Sequence, residues 1–234
     1  MMIKLKVRNL SKTFTMHNLG SILIKGFEDI SFDVKQGEFL SLFGPSGMGK
    51  SSILKSLYRT YITTSGDIFY AIDSKHTINI SKASESEILA LRKNEIGYIS
   101  QFLHVLPRIS CVNIVAEPLI EKGESENSAK EKAREMLSYL SIKEELFDIS
   151  PLTFSGGEQQ RVNIAKGIIA PKSLLLLDEP TASLDNHNTQ KVIDKLQELK
   201  RSGVTMVGIF HSKDAMEQIS DNIYDLKEKT LCKL

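Results

Sequence analysis

The sequence predicts an α/β fold built on a parallel sheet, and three observations carry that reading. A glycine-rich segment, Gly44-Pro-Ser-Gly-Met-Gly-Lys-Ser51, stands between the apolar run Phe39-Leu-Ser-Leu-Phe43 and a helix-like Ser51-Ser-Ile-Leu-Lys-Ser-Leu57. A second aliphatic run, Ser173 to Leu177, is continuous rather than alternating, as a strand covered on both faces requires. Beyond it, Val192, Ile193, Leu196 and Leu199 mark an amphipathic helix leading into Val204-Thr-Met-Val-Gly-Ile-Phe210. Such alternation of strand and helix is the pattern of a parallel sheet.

Taken in order, residues 1 to about 80 read as short strands and turns around the glycine-rich segment. They include a hairpin of Gly66-Asp-Ile-Phe-Tyr-Ala-Ile-Asp73 with His76-Thr-Ile-Asn-Ile80. From about Ser84 to Pro151 the pattern turns helical. Ser86 to Leu91 comes first, then Ser128 to Leu140, where Ala129, Ala133, Met136, Leu137 and Leu140 share one face. The apolar stretch Ile96-Gly-Tyr-Ile-Ser100 interrupts it, and the polar Glu121 to Asn127 reads as a solvated loop. From Glu158 onward strand and helix alternate again.

The glycine-rich segment has the spacing and the flanks of a phosphate-binding loop. Gly44, Gly47 and Gly49 let the chain turn tightly, so that N–H groups along Gly44, Ser46, Gly47, Met48 and Gly49 can point inward, with Pro45 shaping the turn. The following helix, opening through Ser51 and Ser52, offers its positive end to phosphate oxygens. Lys50 is placed to reach the β- and γ-phosphates, and the Ser51 hydroxyl to ligate Mg²⁺. Met48 occupies a position usually held by a small residue, and is compatible with the loop if its side chain points outward. Asp178 and Glu179 follow the aliphatic run, at the strand end where ligands of open α/β sheets lie. Asp178 is the candidate Mg²⁺ ligand and Glu179 the candidate general base for the attacking water. ATP and Mg²⁺ are the expected cofactors.

Composition narrows the partners. With Lys and Arg at 30, Asp and Glu at 29, and a net charge of +1, no dense basic run marks nucleic acid as a partner. No apolar stretch approaches the roughly 20 residues that cross a bilayer, so no direct membrane span is expected. Cys111 and Cys232 stand in no metal-ligand spacing, and the start of the chain has no secretory pattern, which makes the cytoplasm the expected compartment.

Ser155-Gly-Gly-Glu-Gln-Gln-Arg161, followed by Leu174-Leu-Leu-Leu-Leu-Asp-Glu-Pro-Thr181, resembles the signature of the ABC ATPase family. The resemblance covers essentially the whole chain. It implies a P-loop NTPase fold with a RecA-like parallel-sheet core, an antiparallel β subdomain and an inserted helical subdomain. The core and β subdomain would take residues 1–83 and 158–234, and the helical subdomain 84–157. It also implies that Ser155, Gly156 and Gly157 form a second anion-binding helix end that meets the γ-phosphate held by a second ABC ATPase subunit, in a homodimer or heterodimer. Phe14 falls where the family stacks an aromatic on adenine, although a Phe with no other support is most often a core residue. Gln101 resembles the glutamine that touches Mg²⁺ and water, His211 the histidine that contacts the γ-phosphate, and Ala182-Ser-Leu-Asp185 the loop through which paired sites sense each other.

The segment after Gln101 is where such subunits meet the protein they drive. Here Ser100-Gln-Phe-Leu-His-Val-Leu-Pro-Arg-Ile-Ser110, with Thr153 to Ala165 and Val207 to His211, is similar to the L-type ATP-binding subunits of phosphonate carbon-phosphorus lyase systems. That implies a carbon-phosphorus lyase core complex as partner, with a membrane transporter's permease as the alternative. The strip Phe102 to Arg108 is suited to bind such a partner, or Phe102, Leu103, Val105 and Leu106 pack within the helical lobe.

Overall fold

The chain begins with two strands much longer than the short ones expected. The computed structural model describes residues 2–16, 22–103 and 107–233, and in it β1 (Ile3–Met16) and β2 (Ile22–Lys35) span 14 residues each. They pair antiparallel through several register shifts, irregularities that let a long ribbon bend. After β3 (Phe39–Phe43) and α1 (Lys50–Leu57), β4 (Ser65–Ala71) and β5 (Thr77–Asn79) form the expected hairpin. They complete a four-stranded antiparallel sheet in the order β2-β1-β4-β5.

The second sheet has six strands. Beside β3 it takes β6 (Ile96–Ile99), β7 (Leu174–Asp178), β8 (Thr205–Ile209), β9 (Asn222–Asp225) and β10 (Thr230–Lys233), in the order β10-β9-β3-β8-β7-β6. All its pairings are parallel except β9 with β10. The helices between are α2 (Glu85–Asn94), α3 (Cys111–Glu121), α4 (Glu126–Tyr139), α5 (Gly156–Ile169), α6 (Asn186–Arg201) and α7 (Lys213–Ile219).

Two apolar clusters lie on opposite faces of this sheet, and β7 divides its side chains between them. Leu174 and Leu176 join Leu5, Val7, Ile53, Leu57 and Ile68 from the antiparallel sheet and α1. Leu175 and Leu177 join Val115 of α3, Ala133 of α4, Val162 of α5 and Val192 of α6. A strand buried on both faces has no polar alternation to show, which is why its sequence is an unbroken aliphatic run.

The elements between Ser84 and Pro151 divide between the two clusters. Ile88 and Leu91 of α2 enter the cluster of the antiparallel sheet and α1, whereas Ile99 of β6 is buried in the other cluster with α3, α4 and α5. The inserted lobe is built from α3 and α4 against α5. An amphipathic period reports that a helix has a buried face, and not which cluster receives it.

Candidate active site

Helix ends explain why the glycine-rich loop differs from the rest of the molecule. Ser84, Ser110, Ser125, Ser155, Asp185 and Ser212 each cap the N-terminus of α2 to α7 with a side-chain oxygen. Among the described α-helices only α1 has no side-chain cap, and its N-cap is Gly49 in the left-handed region at φ 84°. The first N–H groups of α1 are therefore left free of intrahelical and capping partners, the condition for receiving an anion. Glycine is required at this position twice over, since a Cβ on Gly49 would lie 2.2 Å from the Gly26 carbonyl oxygen. Gly44 and Gly47 also have positive φ, while Pro45 and Ser46 are exposed along the loop and Ser52 is half-buried in the first turn of α1.

The Lys50 ammonium stands within the loop, donating to the carbonyl oxygens of Gly44 at 2.5 Å and Pro45 at 2.9 Å. Burial lowers its pKa from the ordinary lysine value, opposed by the nearby Glu179 carboxylate. Met48 is half-buried against the apolar cluster, so it acts as a packing residue of the loop.

At the end of β7, Asp178 is only 4% exposed and both its oxygens are engaged. The Ser51 hydroxyl donates to Oδ1 at 2.8 Å and the Tyr98 hydroxyl to Oδ2 at 2.8 Å. Glu179 follows at φ 52°, a left-handed conformation rare for a side-chain-bearing residue and often found at reactive positions. Its N–H donates to the Ile209 carbonyl at 3.1 Å, tying the ends of β7 and β8 together. The exposed His211 therefore emerges from the strand beside it. The Gln101 amide donates to Glu179 Oε2 at 3.3 Å. Lys50, Ser51, Asp178, Glu179 and Gln101 thus meet at the carboxyl ends of adjacent strands, over the uncapped end of α1.

This donor set suits Mg²⁺. A hydroxyl, a carboxylate and an amide oxygen are hard ligands of the kind that cation takes alongside phosphate oxygens and water. No cluster of three His, Cys, Asp or Glu occurs among the described residues. Mg²⁺ would supply charge neutralisation at the phosphate oxygens, and Ser51, Asp178 and Gln101 are the residues that would hold it.

The other sequence candidates make contacts of their own. Phe14 meets Tyr61 edge-on with centroids 5.2 Å apart and carries the Lys12 ammonium 4.9 Å from its centroid. A Cβ on Gly26 would fall 2.7 Å from the Phe14 ring, and the Gly26 carbonyl abuts Gly49, so the half-buried ring stands one residue's width from the loop. Ser155 forms a capping box with Glu158 at the start of α5. A Cβ on Gly157 would lie 2.9 Å from the Ser183 carbonyl oxygen, which joins the signature segment to the loop ending at Asp185. The Asp185 carboxylate accepts from the N–H and the side-chain amide of Asn188, both at 2.8 Å, and so serves as the cap of α6. Tyr61 and Tyr98 escaped the sequence reading. Their residue type and position signal only a strand or loop aromatic, and the Tyr98 contact crosses 80 positions of chain.

The profile of the ABC transporter family matches residues 27–182, a span that contains the loop, Gln101, the signature segment, Asp178 and Glu179. The chain belongs to the ABC transporter family. Like its family, it is an ATP-hydrolysing enzyme that uses ATP with Mg²⁺. Among its relatives, the arginine transport ATP-binding protein ArtP of Haemophilus influenzae is 33% identical over 201 residues, covering 86% of this chain and 82% of that one. The lipoprotein-releasing system ATP-binding protein LolD of Aquifex aeolicus is 34% identical over 198 residues, covering 83% of this chain and 86% of that one. Of solved structures, the dimeric post-hydrolysis state of the ATP-binding cassette MJ0796 bound to ADP and Pi superposes with a TM-score of 0.87 at 29% identity, covering 98% of both chains. The ABC cassette fold expected from the sequence is therefore the fold observed.

Proposed function

We propose that this chain is the ATP-hydrolysing subunit of an ABC system, closing with a second ABC ATPase subunit around ATP and driving a partner assembly in the cytoplasm. The observation that carries this reading is the convergence of Lys50, Ser51, Asp178, Glu179 and Gln101 over the uncapped N-terminus of α1. In it, the loop amides and Lys50 hold phosphates, Ser51 and Asp178 hold the cation, and Phe14 with Tyr61 offers an aromatic surface to adenine. Glu179 takes the proton of the attacking water, oriented by Gln101, while His211 contacts the γ-phosphate from the neighbouring strand end.

The α5 terminus is assigned to the other subunit's nucleotide. Gly156 has no atom within 4 Å of a would-be Cβ, which leaves its backbone open to close approach, and Ser155 and Gly157 flank it. Glu179→Gln with MgATP is expected to run as a species of doubled mass in light scattering, and Ser155→Arg added to it is expected to return the single-chain mass. Dimerisation indifferent to both changes removes the paired-site reading. The mixture must include a different ABC subunit if the pair is heteromeric.

For the partner, the segment around Gln101 supports a carbon-phosphorus lyase core complex, through its similarity to the ATP-binding subunits of those systems. The arginine-transport and lipoprotein-releasing relatives favour a second reading, a permease at the same surface. Side-chain placement along the strip decides which residues can test it. Phe102 is 67% exposed and Arg108 is exposed with φ 67°, whereas Leu103 packs against the apolar cluster of the helical lobe. His104, Val105 and Leu106 lie outside the described residues. Phe102→Asp with Arg108→Glu is therefore expected to leave ATP binding intact while abolishing co-purification with the lyase assembly and growth on a phosphonate as sole phosphorus source. If deletion of the gene spares that growth and instead impairs movement of a solute or lipoprotein, the permease reading stands.

A further inference from the structure

We propose that Tyr98 is a positioning residue for the divalent cation, fixing the Asp178 carboxylate through a hydrogen bond from its hydroxyl. The inference rests on the reading of Asp178 as a cation ligand, and adds a group that no sequence motif supplies.

The geometry begins with strand parity. β6 and β7 run parallel with Tyr98 opposite Leu176, so Tyr98 and Asp178 face the same side of the sheet as α1 and Ser51. A carboxylate held at one oxygen can still rotate about its last torsion. Here Ser51 holds Oδ1 and Tyr98 holds Oδ2, each at 2.8 Å, so the plane of the group is set from both sides. Each oxygen keeps a second acceptor position for a cation or its bound water. With Asp178 only 4% exposed, solvent has little access to replace a lost donor.

The tyrosine ring is itself held. It packs on the ring of Tyr58 with centroids 5.2 Å apart. Arg92 lies 4.5 Å from the Tyr58 centroid and donates from Nε to the Tyr58 carbonyl at 3.0 Å. This stack delivers the hydroxyl to one place, and Gln101 follows three positions later on the same segment. The arrangement separates two tasks at the site. Lys50 and the loop amides act on phosphate oxygens, while Ser51, Asp178 and, behind them, Tyr98 act on the cation.

The test exploits that separation. Tyr98→Phe deletes one oxygen and keeps the ring that packs on Tyr58. Binding of Mn²⁺ in the presence of ATP, followed by electron paramagnetic resonance, is expected to weaken by roughly tenfold, the scale of one hydrogen bond to a charged group. Binding of a fluorescent ATP analogue in EDTA is expected to stay at the parent value, and hydrolysis to recover at saturating Mg²⁺. Tyr58→Leu disturbs the ring stack without removing the hydroxyl and is expected to give a smaller loss of Mn²⁺ affinity. Unchanged Mn²⁺ affinity in Tyr98→Phe overturns the proposal. So does an equal loss of metal-free nucleotide binding, or a Tyr58→Leu loss as large as that of Tyr98→Phe, since each marks general distortion. Asp178→Asn serves as the reference: if it leaves Mn²⁺ binding intact, the assignment of Asp178 itself fails, independently of Tyr98.

Discussion

Glu179→Gln is expected to lower ATP hydrolysis by roughly 10²- to 10⁴-fold, the usual contribution of a positioned base, while leaving nucleotide binding in place. The substitution keeps the length and shape of the side chain and the backbone bond to Ile209, and replaces a carboxylate that can accept a proton with a neutral amide that cannot. Lys50, Ser51 and Asp178, which hold phosphate and cation, are untouched. Phosphate release under single-turnover conditions measures the step directly. Hydrolysis at the parent rate would take Glu179 out of the role of base and leave the attacking water to be activated by another group.

Lys50→Ala is expected to abolish tight ATP binding and, with it, the thermal stabilisation that MgATP gives. The change deletes a charge-assisted contact to phosphate. It also removes the two bonds from the ammonium to the Gly44 and Pro45 carbonyls that brace the loop. A ligand at about 100 times its dissociation constant stabilises by about 2.7 kcal/mol, which for a chain of this size is roughly 5 to 10 °C in melting temperature. The parent is expected to show a shift of that order under those conditions and the variant none. Stabilisation of equal size in both would contradict the assignment of Lys50.

What could be read in the sequence was whatever depends on near neighbours in the chain. The phosphate loop, the strands β3, β7 and β8 and the helix α4 follow from local spacing and period, and the structure has them within a residue or two of the expected places, while α6 starts at Asn186, six residues before the apolar stripe that marks it. The centre formed by Lys50, Ser51, Asp178, Glu179 and Gln101 was legible because motifs fix each residue type at a strand or helix end. Long-range facts were not. α3 has a mixed apolar sequence with Pro118 inside it and gives no clear period. The inward turn of Leu103, the packing of Met48 and the placement of α2 depend on which surface arrives from elsewhere. The Tyr98 bond to Asp178 needs two parallel strands in register before it exists.

The division of β7 between two apolar clusters has a consequence for how the molecule opens. To expose the amides of Leu174 to Asp178 to solvent exchange, both faces of the main sheet must come apart, so this segment belongs with those that exchange only when the whole fold is lost. Gln101 instead lies on an exposed bend after the four-residue edge strand β6, where local fluctuation is cheap. Asp178 is thereby anchored at a strand buried on both faces, while the glutamine that reaches its neighbour Glu179 stands on an exposed bend at the edge of the sheet.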